Sequence, residues 1–134
     1  MKKNIMNRLT LAVLAPTAGA GATTVALNLA MAISSDPKRS ALLVDFNLRQ
    51  PGIAAARGIP GEPGVEQCLM HEYRIEEVFV RLKGYEHLLL APAAGPVAQS
   101  SELLGGESAR NLVAELKTRY ADRYVIFDLP PVLE

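Results

Sequence analysis

Four apolar runs, separated by segments of helical pattern, constrain the fold of this chain more than any other feature. The runs are residues 8–16, 40–46, 87–93 and 123–131. Each is apolar almost throughout instead of alternating, which is typical of strands buried on both faces of a parallel sheet. Because helices separate successive runs, the order predicts one α/β domain over residues 1–134. We expect a parallel sheet in a three-layer α/β/α arrangement with right-handed crossovers.

The segments between the runs predict helices. These are residues 23–35, 65–70, 74–83 and 101–122, whereas residues 47–64 are rich in Pro and Gly and predict mostly loop. The face of the first helix predicted to pack on the sheet consists of Val25, Leu29, Ala32 and Ile33. In the last helix Gly105 and Gly106 weaken the first turns, since each glycine costs about 1 kcal/mol relative to alanine.

Charge and cysteine content argue against several classes of function. Fourteen basic and fourteen acidic residues leave no net charge, so bulk attraction of nucleic acid or an anionic membrane is not expected. The single cysteine, Cys68, excludes an internal disulfide framework and fits a cytoplasmic compartment. No apolar run is long enough to span a bilayer, so we expect membrane association only through a partner.

The loop after the first run, TAGAGATT at residues 17–24, has the glycines and hydroxyls of a phosphate-binding loop. Gly19 and Gly21 allow the backbone to approach an oxyanion closely, and the following helix directs N–H groups towards it. Thr23 stands where such a loop places its Mg²⁺-binding hydroxyl, and it or Thr24 is a candidate N-cap. Ala22 replaces the usual lysine. Taken alone, the loop fits a phosphate site and a simple glycine turn equally well.

Two aspartates end apolar runs and are expected at the same edge of the sheet. Asp45 ends the second run, and Asp128 ends the fourth. Each is a candidate Mg²⁺ ligand or catalytic carboxylate, although Asp45 alone fits a loop cap and Asp128 alone is a weak match to a Walker B strand. Together with the loop, these acids predict a ligand site at the carboxyl ends of the strands.

At these motifs the sequence resembles the cytoplasmic domain of bacterial tyrosine kinases of exopolysaccharide and capsule synthesis (BY-kinases), which belong with the ParA and MinD group of P-loop ATPases. The matching segments are AGAGAT at 18–23, DFNLRQP at 45–51, SSELLGGESARNLVAEL at 100–116 and FDLPP at 127–131. The R-x-P and E-L-L elements favour the kinase branch over ParA. Residues 119–131 most resemble tyrosine autokinases associated with exosortase systems.

The resemblance implies a P-loop NTPase-like fold that binds ATP or ADP with Mg²⁺. The residues it implies for nucleotide binding are Gly19, Ala20, Gly21, Ala22, Thr23 and Thr24. Those implied for Mg²⁺ are Thr23, Asp45 and Asp128, the two aspartates also being the catalytic candidates.

The departures from the family pattern fall on the chemistry. Ala22 replaces the lysine, Asn47 replaces the second acid, and Ala20 replaces the loop glutamate. Because Ala22 carries no charge and Asn47 cannot act as a base, we expect weakened nucleotide binding and little turnover. The family's remaining strands and its tyrosine-rich tail would lie beyond Glu134, so we expect a fragment, or a chain truncated at its C-terminus and completed by a partner.

Three hypotheses follow for the function. The first is a degenerate, nucleotide-binding BY-kinase-like subunit, regulatory or pseudokinase, that is cytoplasmic and recruited to the inner membrane face. The second is an active tyrosine autokinase or ATPase in which Arg49 substitutes for the lysine. The third is a ParA/MinD-like positioning ATPase or a nucleotide-free interaction module. The resemblance further implies a homo-oligomer, or assembly with an active kinase or a polysaccharide copolymerase. From the absence of net charge we expect no nucleic-acid partner.

Overall fold

The computed structural model describes residues 10–14 and 21–131, which contain a five-stranded sheet. Its strands are β1 (Thr10–Val13), β2 (Ala41–Asp45), β3 (Val80–Leu82), β4 (Tyr85–Ala91) and β5 (Tyr124–Asp128). The strand order is β1-β5-β2-β4-β3, and every pair is parallel except β3 with β4. The four strands predicted from the apolar runs therefore form the expected parallel sheet.

Helices cover both faces of this sheet. They are α1 (Ala22–Ser34), α2 (Ile53–Arg57), α3 (Val65–Leu69), α4 (Ile75–Val78), α5 (Ser100–Leu104) and α6 (Glu107–Arg119). Leu43 of β2 packs in one core with α1, whereas Leu42 and Val44 pack in the other with α3, α4 and α6. Because successive strand residues point to opposite faces, β2 is apolar throughout, and the three-layer α/β/α arrangement is confirmed. None of the helices in the described ranges has the length and apolarity needed to cross a membrane.

The prediction of one helix over residues 74–83 was wrong beyond Val78. The helix α4 ends there, and Val80–Leu82 forms β3, which pairs antiparallel with β4 across a turn. Gly84 adopts a φ of 87° in that turn, a backbone conformation that favours glycine. Phe79, between the helix and the strand, packs edge-on against Tyr120 with the ring centroids 5.2 Å apart.

Two further predictions of helix extent were incomplete. The predicted helix at residues 101–122 is divided into α5 and α6 at Gly105 and Gly106, and Gly106 is the extended N-cap of α6. The predicted loop at residues 47–64 contains the short helix α2, which ends at Gly58 in the left-handed conformation.

The predicted buried face of α1 was right only for Leu29 and Ile33, which are partly buried and pack against the core. Ala32 is exposed. The residues of α1 that are buried against the sheet are Ala26, Leu27, Ala30 and Ser34, whereas Val25 is 56% exposed. Small side chains at positions 26, 30 and 34 share one face at a spacing of four residues, and they let the helix lie close to the sheet. Neither Thr23 nor Thr24 caps α1, because the N-cap is Gly21, at a φ of 86° and without a side-chain cap.

Candidate nucleotide site

The structure brings Asp45 and Asp128 together at the carboxyl edge of the sheet. They are register partners on the adjacent parallel strands β2 and β5, and both are fully buried. Val13, at the end of β1, is the register partner of Asp128 on its other side. In open α/β sheets this edge is where ligands bind.

Thr23 joins the two aspartates from the first turn of α1. Its hydroxyl donates a hydrogen bond of 2.7 Å to Oδ2 of Asp128. The other carboxylate oxygen of Asp128, Oδ1, is buried and has no hydrogen-bond partner in the described part of the chain. Burial raises the pKa of Asp128 above its ordinary value, and the hydrogen bond from Thr23 opposes that increase.

Asp45 organises the loop that follows β2. Its Oδ1 accepts from the backbone N–H of Asn47 at 3.0 Å, and its Oδ2 accepts from Gly52 at 3.1 Å and Ile53 at 3.2 Å. Burial raises the pKa of Asp45 to about 7; Asp128 adds to the increase, and the backbone hydrogen bonds oppose it. The side chain of Asp45 thus caps the N-terminus of α2 while it lies beside Asp128. Its two interpretations from the sequence, a loop cap and a carboxylate of the ligand site, are therefore compatible.

Gly52 is a site residue that the sequence reasoning missed. A Cβ atom placed on it would lie 3.0 Å from Oγ1 and 3.2 Å from Cγ2 of Thr23. Its φ is −126°, so the requirement for glycine is one of space and not of backbone conformation. The signal available in the sequence was the glycine that directly follows the DFNLRQP motif.

The remaining predicted residues lie around this cluster or outside the described ranges. Gly21 and Ala22 begin α1, and Thr24 is exposed on its first turn. Gly19 and Ala20 lie outside the described residues. Asn47 follows Asp45 and is partly buried, and its Oδ1 has no hydrogen-bond partner within the described ranges.

These oxygen donors fit Mg²⁺. Carboxylate and hydroxyl oxygens are the ligands that this hard cation prefers, and Oδ1 of Asp128 is a buried acceptor that has no partner among the described residues. In the described ranges, no group of three or more His, Cys, Asp and Glu side chains could hold a metal ion, so the two aspartates need the hydroxyl of Thr23 as a further ligand. The residues that could hold the ion are therefore Thr23 and Asp128, with Asp45 adjacent.

Solved structures with a similar fold include two kinase domains and a septum site-determining protein. The VpsO kinase domain is 30% identical, with a TM-score of 0.84 over 96% of this chain and 61% of that chain. The kinase domain of the Escherichia coli tyrosine kinase ETK is 24% identical, with a TM-score of 0.81 over 98% and 49%. The septum site-determining protein MinD of Pyrococcus horikoshii, complexed with Mg-ADP, is 19% identical, with a TM-score of 0.77 over 95% and 51%.

The chain has a P-loop NTPase fold. These three structural neighbours confirm the resemblance to bacterial tyrosine kinase domains and to MinD that the motifs predicted. The chain spans between about half and three fifths of their length, at 49% to 61%. No protein-family model and no curated protein sequence matches it.

Proposed function

We propose that this chain is a nucleotide-binding BY-kinase-like subunit with a regulatory or pseudokinase role in exopolysaccharide or capsule biosynthesis. The observation that carries the proposal is the cluster of Thr23, Asp128 and Asp45 beside Ala22. The threonine and the two acids that the resemblance implies for Mg²⁺ lie together, while Ala22, at the position that the resemblance implies for the lysine, is uncharged.

Each residue of the cluster has a distinct part in binding. Thr23 and Asp128 would hold Mg²⁺, which when bound neutralises charge on the phosphate oxygens. The N-terminus of α1 would direct backbone N–H groups at the phosphates. Asp45 fixes the loop from Asn47 to Gly52, because both of its carboxylate oxygens accept hydrogen bonds from that loop.

The same residues argue against efficient phosphoryl transfer. Charge on the transferring group is stabilised by cationic groups in such sites, and Ala22 supplies none. Asn47 has no carboxylate with which to accept a proton. Asp45 already accepts three backbone hydrogen bonds from its own loop, which favours a positioning role over one in proton transfer.

We place the subunit in the cytoplasm, recruited to the membrane by a partner. The candidates are a second copy, an active kinase and a polysaccharide copolymerase. This part of the proposal is supported by the kinase-domain neighbours and by the single cysteine. Co-purification with each candidate, with and without Mg-ATP, tests it.

The decisive experiment restores the missing charge. We expect wild type to hydrolyse ATP negligibly and Ala22→Lys to bind Mg-ATP more tightly by roughly ten- to hundredfold, since hydrogen bonds to charged groups contribute about 1.5–3 kcal/mol. Calorimetric titration with Mg-ATP and Mg-ADP measures the affinities. Ala22→Gln, which is long but uncharged, is the matched control and should gain little.

Two results would contradict this proposal. An equal gain in Ala22→Gln would show that length and not charge is missing. Clear wild-type turnover would instead favour an active enzyme, with Arg49 as the substitute cation, because Arg49 is exposed on the same loop that brings Gly52 against Thr23. In that case Arg49→Ala should abolish the turnover.

A further inference from the structure

Glu66 is a buried carboxylate outside the candidate nucleotide site. It lies in α3 and is 5% exposed. Its Oε1 and Oε2 accept from the backbone N–H of Ala94 at 3.0 and 2.9 Å, and Oε2 also accepts from Gly95 at 3.2 Å. The side chain therefore clasps the loop that follows β4, whose carboxyl end lies at the same edge of the sheet as Asp45 and Asp128.

The packing around this clasp leaves little freedom. A Cβ atom on Gly64 would overlap the backbone nitrogen of Ala94, and one on Gly61 would lie 2.9 Å from the carbonyl oxygen of Ala93. The N–H of Val65 donates to the carbonyl of Pro92 at 2.7 Å. Residues 61–66 and 92–95 are thus held in direct backbone contact, with the carboxylate of Glu66 at the end of that contact.

The clasped loop is joined to the loop that forms the nucleotide site. The N–H of Val97 donates to the carbonyl of Leu48 at 2.8 Å, and the side chain of Leu48 is fully buried. Leu48 belongs to the segment 46–52, whose backbone N–H groups donate hydrogen bonds to the carboxylate of Asp45. The same segment places Gly52 against Thr23. Glu66 and Thr23 are therefore connected through two loops and one interloop hydrogen bond.

We propose that Glu66 is a positioning residue for the nucleotide site. By holding residues 92–97, it fixes Leu48 and the segment 46–52, and through them it keeps Gly52 in contact with Thr23. The effect of Glu66 on the affinity for Mg-ADP rests on the proposed nucleotide binding, whereas its effect on the segment 46–52 does not.

The test compares Glu66→Gln with wild type by residue-resolved amide hydrogen exchange without nucleotide. Glutamine keeps the size of the side chain but turns one of the two oxygens that accept from the N–H of Ala94 into an NH₂ donor, which cannot accept that bond. We expect the amides of Gly52 and Ile53 to exchange about tenfold faster, because the support of their loop is weakened. The Kd for Mg-ADP should rise by roughly two- to thirtyfold.

Ile75→Val is the matched control, since Ile75 is fully buried in α4 and contributes to the same helical layer. It lowers stability modestly, and it should change neither the exchange at Gly52 and Ile53 nor the Kd. Faster exchange at Gly52 and Ile53 in this control would assign the effect to general destabilisation and overturn the proposal. Exchange that rises at Ala94 and Gly95 of Glu66→Gln but not at Gly52 and Ile53 would also overturn it.

A second variant tests the connection even if Glu66→Gln fails to fold. Val97→Pro removes the N–H that bonds to Leu48 and leaves Glu66 in place. The amides of Gly52 and Ile53 should exchange faster while those of Ala94 and Gly95 stay protected, and unchanged exchange at Gly52 and Ile53 would overturn the proposal. If wild type binds no Mg-ADP, the proposed function fails, and the exchange data still decide whether Glu66 positions the loop.

Discussion

Thr23 links the first turn of α1 to the sheet through one hydroxyl group. That hydroxyl donates a hydrogen bond of 2.7 Å to Oδ2 of Asp128, while the backbone of Thr23 belongs to the first turn of α1. A buried carboxylate that loses its hydrogen-bond donor lowers the free energy of unfolding, because nothing then replaces the hydrogen bonds to water that it lost on burial. Thr23 is therefore expected to affect both stability and Mg²⁺ affinity.

Replacing Thr23 with Val keeps the shape of the side chain and removes only the hydroxyl. We expect a loss of roughly 1–3 kcal/mol in the free energy of unfolding, since Oδ2 of Asp128 is left unpartnered. Mg²⁺-dependent nucleotide affinity should fall with it, because a ligand oxygen is lost. Urea denaturation and titration with Mg-ADP measure the two effects.

Thr24→Val is the control for that prediction. Thr24 is the next residue of the same helical turn, but it is exposed. Its replacement should leave both quantities within experimental error of wild type. Equal losses in the two variants would show that the effect belongs to the helix turn and not to the bond with Asp128.

Single residues differ in how far the sequence could specify them. Thr23, Asp45 and Asp128 were predicted because each follows a buried strand within a recognisable motif. Glu66 and Gly52 were not, because their importance depends on backbone groups distant in sequence: the N–H groups of Ala94 and Gly95 for Glu66, and the side chain of Thr23 for Gly52.

At the scale of elements, the N-termini of α1 and α2 meet beside the two aspartates. Asp45 caps α2 from the end of β2, and Gly52 brings that helix against Thr23 in α1. The site therefore depends on how closely two helices approach, and not only on which side chains they carry.

Gly52→Ala tests this close approach. The added methyl group would lie 3.0 Å from the Thr23 hydroxyl oxygen, so we expect α1 and α2 to be forced apart at this point. Overpacking of this kind costs about 1–3 kcal/mol, and the bond between Thr23 and Asp128 should weaken. Thermal unfolding and Mg-ADP titration check both effects.

Gly95→Ala provides the comparison for Gly52→Ala. A Cβ atom on Gly95 meets nothing within 4 Å, so this variant should retain wild-type stability and affinity. If Gly52→Ala were as well tolerated as Gly95→Ala, the close approach of the two helices would not be required.

Element boundaries were less predictable from the sequence than element types. Residues 74–83 carry a helical pattern, yet β3 forms at Val80 because pairing with β4 satisfies its backbone. The face of α1 was predicted only in part because the helix is apolar on most sides. Tertiary packing then selected the small residues Ala26 and Ala30 for contact with the sheet.

At the scale of the whole molecule, the two buried carboxylates make stability depend on pH. Burial raises the pKa of Asp45 to about 7 from 3.8. Between these values the unfolded chain has lost a proton that the folded protein keeps, so the free energy of unfolding falls as pH rises. The stabilisation is fully present below 3.8 and lost as pH passes through about 7. At 1.36 kcal/mol per pKa unit, the loss is roughly 4 kcal/mol.

Urea denaturation in EDTA between about pH 4 and about pH 8 measures this decrease. Asp45→Asn should show a shallower decrease, with the remainder contributed by Asp128, whose pKa is also raised. Mg²⁺ should restore stability at the upper end of the range, because it binds the ionised carboxylates. A slope in Asp45→Asn as steep as in wild type would contradict the assignment.

The sequence by itself determined the layers of this protein and the edge at which its site lies. Continuous apolar runs that alternate with helical segments are typical of strands buried inside a parallel sheet, and the carboxyl ends of such strands meet at one edge. Tertiary structure alone decided that Thr23 bonds to Asp128, that Gly52 abuts Thr23, and that Glu66 clasps the loop after β4. These contacts join residues far apart in the chain. They form only because strand order and helix packing bring those residues within contact distance, and a local sequence pattern does not encode such distances.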